Sequence, residues 1–371
     1  MSFLHKILSS DWPLTFKLKV LLKLLSTQWG QYPSRMNDEV EEALAQKFGV
    51  NKDNLLLTSG STAFIELFFS KYVLPQGGYI EASRSYFRFQ TLAKFFGVER
   101  YLFQIDGEGN YDINEIISLY CQHSNLPLVL CSPNNPTGMS IKNEDIEKIV
   151  QNTQSPILLD SAYAWFQDNF DMERVRHYLK YENVFQVYSL SKSFAAAGVR
   201  IGIVILNAHL KKQIKDVYNP FPLNHFACAF LEELLQPNWW NYRLSKIEES
   251  KKNRSKLSNI LSEIEGLHLF PSQSNFITLK YPTSTESLVD KLMARKITAI
   301  PLGDFQLKIV SIGSWDQCIL IIDTIKEDIY SNCSLIEGAS RTIFIPIQIL
   351  IKGSCDQGLP WFSPRSLMAR L

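Results

Sequence analysis

Lys192 stands in the run Ser189-Leu-Ser191-Lys192-Ser-Phe-Ala-Ala-Ala-Gly198-Val-Arg200-Ile-Gly202, among hydroxyl and small residues and eight positions before an arginine. An amine that must reach a carbonyl carbon needs little bulk beside it. A phosphate held nearby needs hydroxyls and a fixed cation, which Ser189, Ser191 and Arg200 supply. Pyridoxal 5′-phosphate (PLP) asks for both at once, and its enzymes also carry a partner for the pyridine nitrogen.

Other segments offer such partners. Thr58-Ser-Gly60-Ser61-Thr62-Ala63 lies between the apolar runs Leu55–Leu57 and Phe64–Phe69, a strand, small-residue turn and helix start. Bare amides at a helix N-terminus bind phosphate. Ser132-Pro-Asn134-Asn135-Pro136-Thr137-Gly138 follows Leu128–Cys131, so Pro and Gly end a strand and leave asparagine at its tip. Pro156-Ile-Leu-Leu-Asp160-Ser-Ala-Tyr163 puts a carboxylate at the exit of another buried strand, with a tyrosine three residues on.

In order and spacing, Asn135-Pro-Thr-Gly138, Asp160-Ser-Ala-Tyr163 and Ser189-Leu-Ser-Lys192 with Arg200 resemble fold-type I PLP enzymes, specifically class I/II aminotransferases of the histidinol-phosphate aminotransferase kind. The resemblance covers about residues 30–330. It implies that Lys192 forms the internal aldimine and shuttles the proton, and that Asp160 pairs with the pyridine nitrogen. Asn135 and Tyr163 would bond the ring oxygen. Ser61, Thr62, Ser189, Ser191 and Arg200 would hold the phosphate, and Tyr86 would stack on the ring. Tyr32 matches a tyrosine that reaches the phosphate of a partner subunit, which implies a homodimer. An amino donor and a keto acceptor are the implied substrates. The alternatives are a related decarboxylase, acting for instance on a phosphorylated amino acid, and a catalytically weak PLP-fold binding protein.

The resemblance breaks at the substrate end. Relatives carry a carboxylate-binding arginine in a strand ending Arg-Ile-Ser-Ile-Gly, where this chain has Leu307-Lys308-Ile309-Val310-Ser311-Ile312-Gly313. Aligned on Gly313, the arginine position holds Ile309, and on a regular strand Lys308 points to the other face unless a bulge re-aims it. Lys308 is the nearest substitute, without the bidentate fork of arginine. Arg84 and Arg88, beside Tyr86, are further cations near the expected site.

Composition narrows the class. A formal net charge of +1 leaves no nucleic-acid footprint. Cys121, Cys131, Cys228, Cys318, Cys333 and Cys355 form no C-x-x-C pair, so no structural metal and a cytoplasmic, reducing location are expected. Apolar runs are too short to span a bilayer. The basic amphipathic stretch Leu14–Leu25 is expected to pack on the enzyme body or a partner.

Short apolar strands alternating with helical stretches predict an α/β fold with a mainly parallel sheet, its ligand at the carboxyl ends of the strands. The expected organisation is an N-terminal arm (1–35), a large PLP-binding domain (36–235), a smaller α+β domain (236–335) and a tail without assigned role (336–371). A long helical stretch is expected from about 224 to 262.

Overall fold

The computed structural model describes residues 11–337 except 107–108, 215–216, 283, 304–305 and 311. The chain divides into two units, Met1–Asp328 and Ile329–Leu371. Of the second, the described part is the end of a helix, and most of the tail expected at 336–371 lies outside the described residues.

Helices α1 (Leu14–Leu25) and α2 (Ser34–Phe48) come first. Strands and helices then alternate: β1 (Leu55–Thr58), α3 (Ser61–Phe68), β2 (Gly78–Ala82), α4 (Phe87–Phe96), β3 (Glu99–Phe103), α5 (Ile113–Gln122), β4 (Leu128–Cys131), α6 (Asn143–Gln151), β5 (Ile157–Asp160), α7 (Met172–His177), β6 (Val184–Ser189), the short α8 (Leu190–Ser193) and β7 (Gly202–Leu206). Next come α9 (Ala208–Ile214), α10 (His225–Leu234), α11 (Pro237–Ser262), β8 (His268–Phe270), β9 (Phe276–Lys280), α12 (Glu286–Ala294), β10 (Ala299–Gly303), β11 (Gln306–Val310) and α13 (Trp315–Glu337).

The first seven strands form one sheet in the order β1-β7-β6-β5-β4-β2-β3. Strands β6, β5, β4, β2 and β3 pair in parallel, while β7 runs antiparallel to both β6 and β1. β1 therefore points the same way as β6. The turns leaving β1, β4, β5 and β6 share one edge of the sheet with the turn entering β7. That edge gathers Ser61, Asn135, Asp160, Lys192 and Arg200 from segments far apart in the chain.

Burial on both faces explains the nearly continuous apolar strands. Leu55, Leu57, Ile203 and Ile205 join the core under α2 and α10, whereas Leu56 and Val204 join the core under α3. Each such side chain contributes about 1.5–3 kcal/mol on leaving water. Phe16 and Val20 of α1 are buried, and Phe16 packs against Phe230 of α10 with ring centroids 5.2 Å apart. Leu14, Leu18, Leu21, Leu22 and Leu25 stay exposed.

The helical stretch expected over 224–262 consists of two helices. α10 ends at Leu234, and Pro237 opens α11 at a position where a missing N–H costs nothing. The second sheet, β10-β11-β9-β8, is antiparallel throughout. No helix among the described residues is long and apolar enough to cross a membrane.

Candidate active site

At one end of the shared edge, β7 presses against the β1–α3 turn. A Cβ on Gly202 would lie 2.3 Å from Thr58 Oγ1 and 2.5 Å from Ser61 N, so only glycine lets the two segments meet. Gly60 has φ +78°, and a Cβ there would come within 2.3 Å of Arg200 Nη2. Arg200 itself is left-handed, at φ +64°. That conformation costs a non-glycine residue about 1–3 kcal/mol. It sets the guanidinium beside the N-terminus of α3, where Nη1 donates to Ala197 O at 3.1 Å. α3 begins at Ser61 with no side-chain cap, so Ser61, Thr62 and Arg200 make a ready oxyanion cradle. Ser189 Oγ caps α8 by accepting from Ser191 N at 3.2 Å. A hydroxyl that accepts still has its own proton to donate.

In the middle of the edge, Asp160 ends β5 with 3% of its surface exposed. Its carboxylate accepts from Ala162 N at 3.1 Å, and no cation pairs with it among the described residues. Burial pushes its pKa up to about 6. Tyr163 is buried and meets the edge of Phe276, with centroids 5.2 Å apart; burial strongly raises its pKa. Tyr86, half-buried, bonds Thr62 and feels the charge of Asp160.

Asn135 sits in a turn clamped by both sheets. Asn134 Nδ2 donates to Arg84 O at 3.1 Å and Thr137 Oγ1 at 3.0 Å. Thr278 of β9 donates to Pro136 O at 2.5 Å, and Gln273 N donates to Gly138 O at 2.8 Å. Lys308 Nζ donates to Asn135 Oδ1 at 2.5 Å. Lys192 is partly buried on α8; burial and then the charge of Arg200 lower its pKa to about 8.

Lys308, the nearest substitute for the missing arginine, faces Asn135, which differs from the register counted back from Gly313. It is 6% exposed, and its amine lies 4.0 Å from the centre of the Phe276 ring. Ile309 is wholly buried on the opposite face. β11 pairs regularly with β9, Lys308 opposite Thr278 and Ile309 opposite Ile277, so it is Lys308 that faces the site. Burial and the neighbouring charge of Lys192 lower its pKa to about 7. Of the two arginines beside Tyr86, Arg88 pairs with Glu66 at 2.5 Å and Arg84 Nη1 donates to Gln306 Oε1 at 2.7 Å. Tyr32 is 74% exposed and stacks on Phe221.

Two contacts had no sequence signal. Arg243 Nε of α11 donates to Ser193 O at 2.6 Å, and Trp12 Nε1 donates to Phe194 O at 3.2 Å. Both hold the carbonyl end of α8, the element that carries Lys192. They join positions 50 and 182 residues apart, beyond the reach of local patterns.

These groups fit PLP. Asp160 offers a buried carboxylate to a protonated pyridine nitrogen, the glycine-lined turn offers amides and Arg200 to a phosphate, and Lys192 offers an amine depressed enough to be partly neutral near pH 8. Residues 8–314 match the family model described as aminotransferase class I and II. The chain belongs to that family. Its members are PLP-dependent aminotransferases, and so is this enzyme. It is 26% identical over 313 residues to the histidinol-phosphate aminotransferase of Clostridium kluyveri, covering 83% of this chain and 87% of that one. In fold it is similar to the histidinol-phosphate aminotransferase of Clostridium acetobutylicum, with TM-score 0.75, 22% identity and coverage of 89% and 99%. It is also similar in fold to the L-threonine-O-3-phosphate decarboxylase of Porphyromonas gingivalis, with TM-score 0.68, 19% identity and coverage of 87% and 99%.

Proposed function

We propose that Lys192 is the catalytic lysine of this aminotransferase, moving an amino group between an amino acid or amine and a keto acceptor. The convergence of Lys192, Asp160 and the Arg200 turn on one sheet edge carries this reading. PLP, when bound, supplies the electron sink for the substrate Cα. Asp160, anionic and buried, would hold the proton on the pyridine nitrogen. Asn135 and Tyr163 would donate to the ring oxygen. Ser61, Thr62, Ser189, Ser191 and Arg200 would grip the phosphate, and Tyr86 would serve as the aromatic beside the ring. Lys192, its pKa lowered to about 8, is the base that takes and returns the Cα proton. Lys308 is the cation that meets the substrate's anionic group near the reacting carbon. As a single point charge it tolerates more than one anion geometry.

Borohydride reduction of the holoenzyme is expected to fix the cofactor on a peptide containing Lys192. An adduct on another lysine overturns the assignment. The related enzymes named above make a phosphorylated amino alcohol a first donor to try.

The enzyme is further proposed to be a cytoplasmic homodimer, with large and small domains divided near residue 235. The free thiols of Cys121, Cys131, Cys228 and Cys318 suit a reducing compartment. Two separate sheets support the domain boundary. The exposed leucines of α1 together with Trp29 and Tyr32 support a second subunit, because so much apolar surface is seldom left in water. Mixing inactive Lys192→Ala with an inactive Tyr32→Phe variant is expected to restore some turnover through hybrid dimers. A fully active monomer contradicts this.

A further inference from the structure

The helix that carries Lys192 is a single turn, Leu190–Ser193. A first turn fixes several residues for one backbone bond, so α8 gains little from its own hydrogen bonding. Ser189 caps its start, and at its end Phe194 N and Ala196 N both return to Leu190 O, at 3.1 and 3.2 Å. The chain then passes through Ala195 at φ +47°. A residue with a Cβ keeps that left-handed conformation only where its surroundings impose it. The contacts able to impose it fall on the two carbonyls just before Ala195. Ser193 and Phe194 are wholly buried, and the last carbonyls of a helix have no partner within it.

Arg243 Nε donates to Ser193 O at 2.6 Å, and Trp12 Nε1 donates to Phe194 O at 3.2 Å. Arg243 stands three residues beyond Trp240 on α11, on the same side of that helix. The Trp240 ring lies 4.8 Å from the ring of Phe194, and the Trp165 ring meets it edge-on at 5.0 Å. Phe194 is therefore gripped by its ring and by its carbonyl. Trp12 is itself fixed: it stacks on Phe16 at 3.9 Å and meets Phe230 at 5.6 Å. Two elements distant in the chain thus close on the first and second residues after Lys192.

We propose that Trp12 and Arg243 are positioning residues for Lys192, holding the end of α8 so that the lysine amine stays within reach of the carbon it must attack. This holds only if Lys192 is the reacting lysine, which borohydride fixation on the parent enzyme checks separately. The step that reads the positioning is the joining of Lys192 to PLP. The neutral amine adds to the aldehyde carbon, a C=N bond forms, and the aldehyde oxygen leaves as water with the two amine protons. A misplacement of about 1 Å can cost on the order of a hundredfold in such a step.

Apoenzyme is mixed with PLP, and the rate constant at saturating PLP is measured from the growth of the absorbance band of the joined lysine. Pyridoxamine 5′-phosphate, which has the same ring and phosphate but no aldehyde, is titrated by calorimetry. Trp12→Phe keeps an aromatic ring and removes the N–H. Arg243→Lys keeps a donor and Arg243→Met removes it. Arg243 has an interaction besides this bond, so Trp12→Phe is the cleaner variant. Trp239→Phe is the comparator, because Trp239 Nε1 lies in the same aromatic cluster but donates to Glu233 Oε1, at 2.7 Å.

The rate is expected to fall about tenfold in Trp12→Phe and further in Arg243→Met, while binding of pyridoxamine 5′-phosphate stays within about twofold. Arg243→Lys is expected between Arg243→Met and the parent, and Trp239→Phe at the parent's rate. A parent-like rate in Trp12→Phe or in Arg243→Met overturns the role of that residue. A slower rate matched by an equal loss of pyridoxamine 5′-phosphate binding also overturns the proposal, since the whole site would then have loosened. If Arg243→Met does not fold, Trp12→Phe and Arg243→Lys decide between the same outcomes. A cofactor fixed on another lysine of the parent overturns the assignment of Lys192 instead.

Discussion

The two ends of the site are built by different sheets, and they differ in what determines a residue's position. The cofactor end lies at the strand ends of the large sheet. There a turn must follow each strand, and glycine, proline and small hydroxyl residues mark each turn. Gly60 and Gly202 leave no room for another side chain, so the backbone itself holds Arg200 in place. The proposed substrate end lies along the middle of β11, where the side chains alternate and a shift of one residue exchanges the site face for the core face. The cofactor end is fixed by local chemistry. The substrate end depends on pairing register, which no local motif records.

The comparison breaks first if the cofactor end tolerates change. Lys192→Ala is expected to bind PLP yet lose turnover by several orders of magnitude, measured as product formed per mole of holoenzyme. Asp160→Asn keeps the shape and removes the charge. Its rate is expected to fall at least a hundredfold, about the loss on removing one preorganised electrostatic partner. Near-normal rates in that variant would rule out the electron-sink role.

At the substrate end the expected effects are smaller and fall on binding. Lys308→Met is expected to raise KM for anionic amino donors about ten- to hundredfold, the equivalent of about 1.5–3 kcal/mol for a lost charged hydrogen bond. Donors without an anion near the amine should be much less affected. Equal shifts on both kinds of donor would mean that Lys308 acts through Asn135 alone.

Gly202→Ala tests the packing of the cofactor end directly. Its Cβ meets Thr58 Oγ1 and the backbone of Ser61, so a loss of about 1–3 kcal/mol in stability is expected, measured by denaturant melts, together with weaker PLP binding. A variant as stable as the parent would show that β7 can move away from α3.

The gentlest test is pH. Burial lowers the Lys308 pKa to about 7, and only the protonated amine attracts an anion. KM for anionic donors is therefore expected to be lowest below about pH 7 and to rise above it. Because a bound anion favours the charged amine, the rise in the complex comes at a higher pH than in the free enzyme. Lys308→Arg, charged throughout this range, should flatten the profile. A parent profile as flat as that of the arginine variant would show that Lys308 is charged across the whole range.

The sheet edge was legible in the sequence because each of its turns carries a mark. Pro133 and Pro136 end β4, Asp160 ends β5, and Ser189 stops β6 and starts α8. The facing of Lys308 was not legible. Counting back from Gly313 assumes an unbroken strand, whereas the regular pairing of β11 ends at Val310 and Ser311 lies outside the described residues. Pro237, at a helix start, divides the helical stretch read over 224–262 into α10 and α11. Arg243 and Trp12, which brace α8, had no signal because their partners are backbone carbonyls contributed by tertiary packing.

The turn Asn134–Gly138 behaves as a fused joint. Thr278, Gln273 and Lys308, all from beyond α11, are bonded to its carbonyls or to Asn135, while Asn134 ties it back to Arg84. A tilt of the small sheet cannot be absorbed as slack in this turn; it becomes a displacement of the Asn135 amide. The amide proposed to face the cofactor ring is thus geared to the sheet that carries Lys308, and a shift of that sheet would reach it as a mechanical signal.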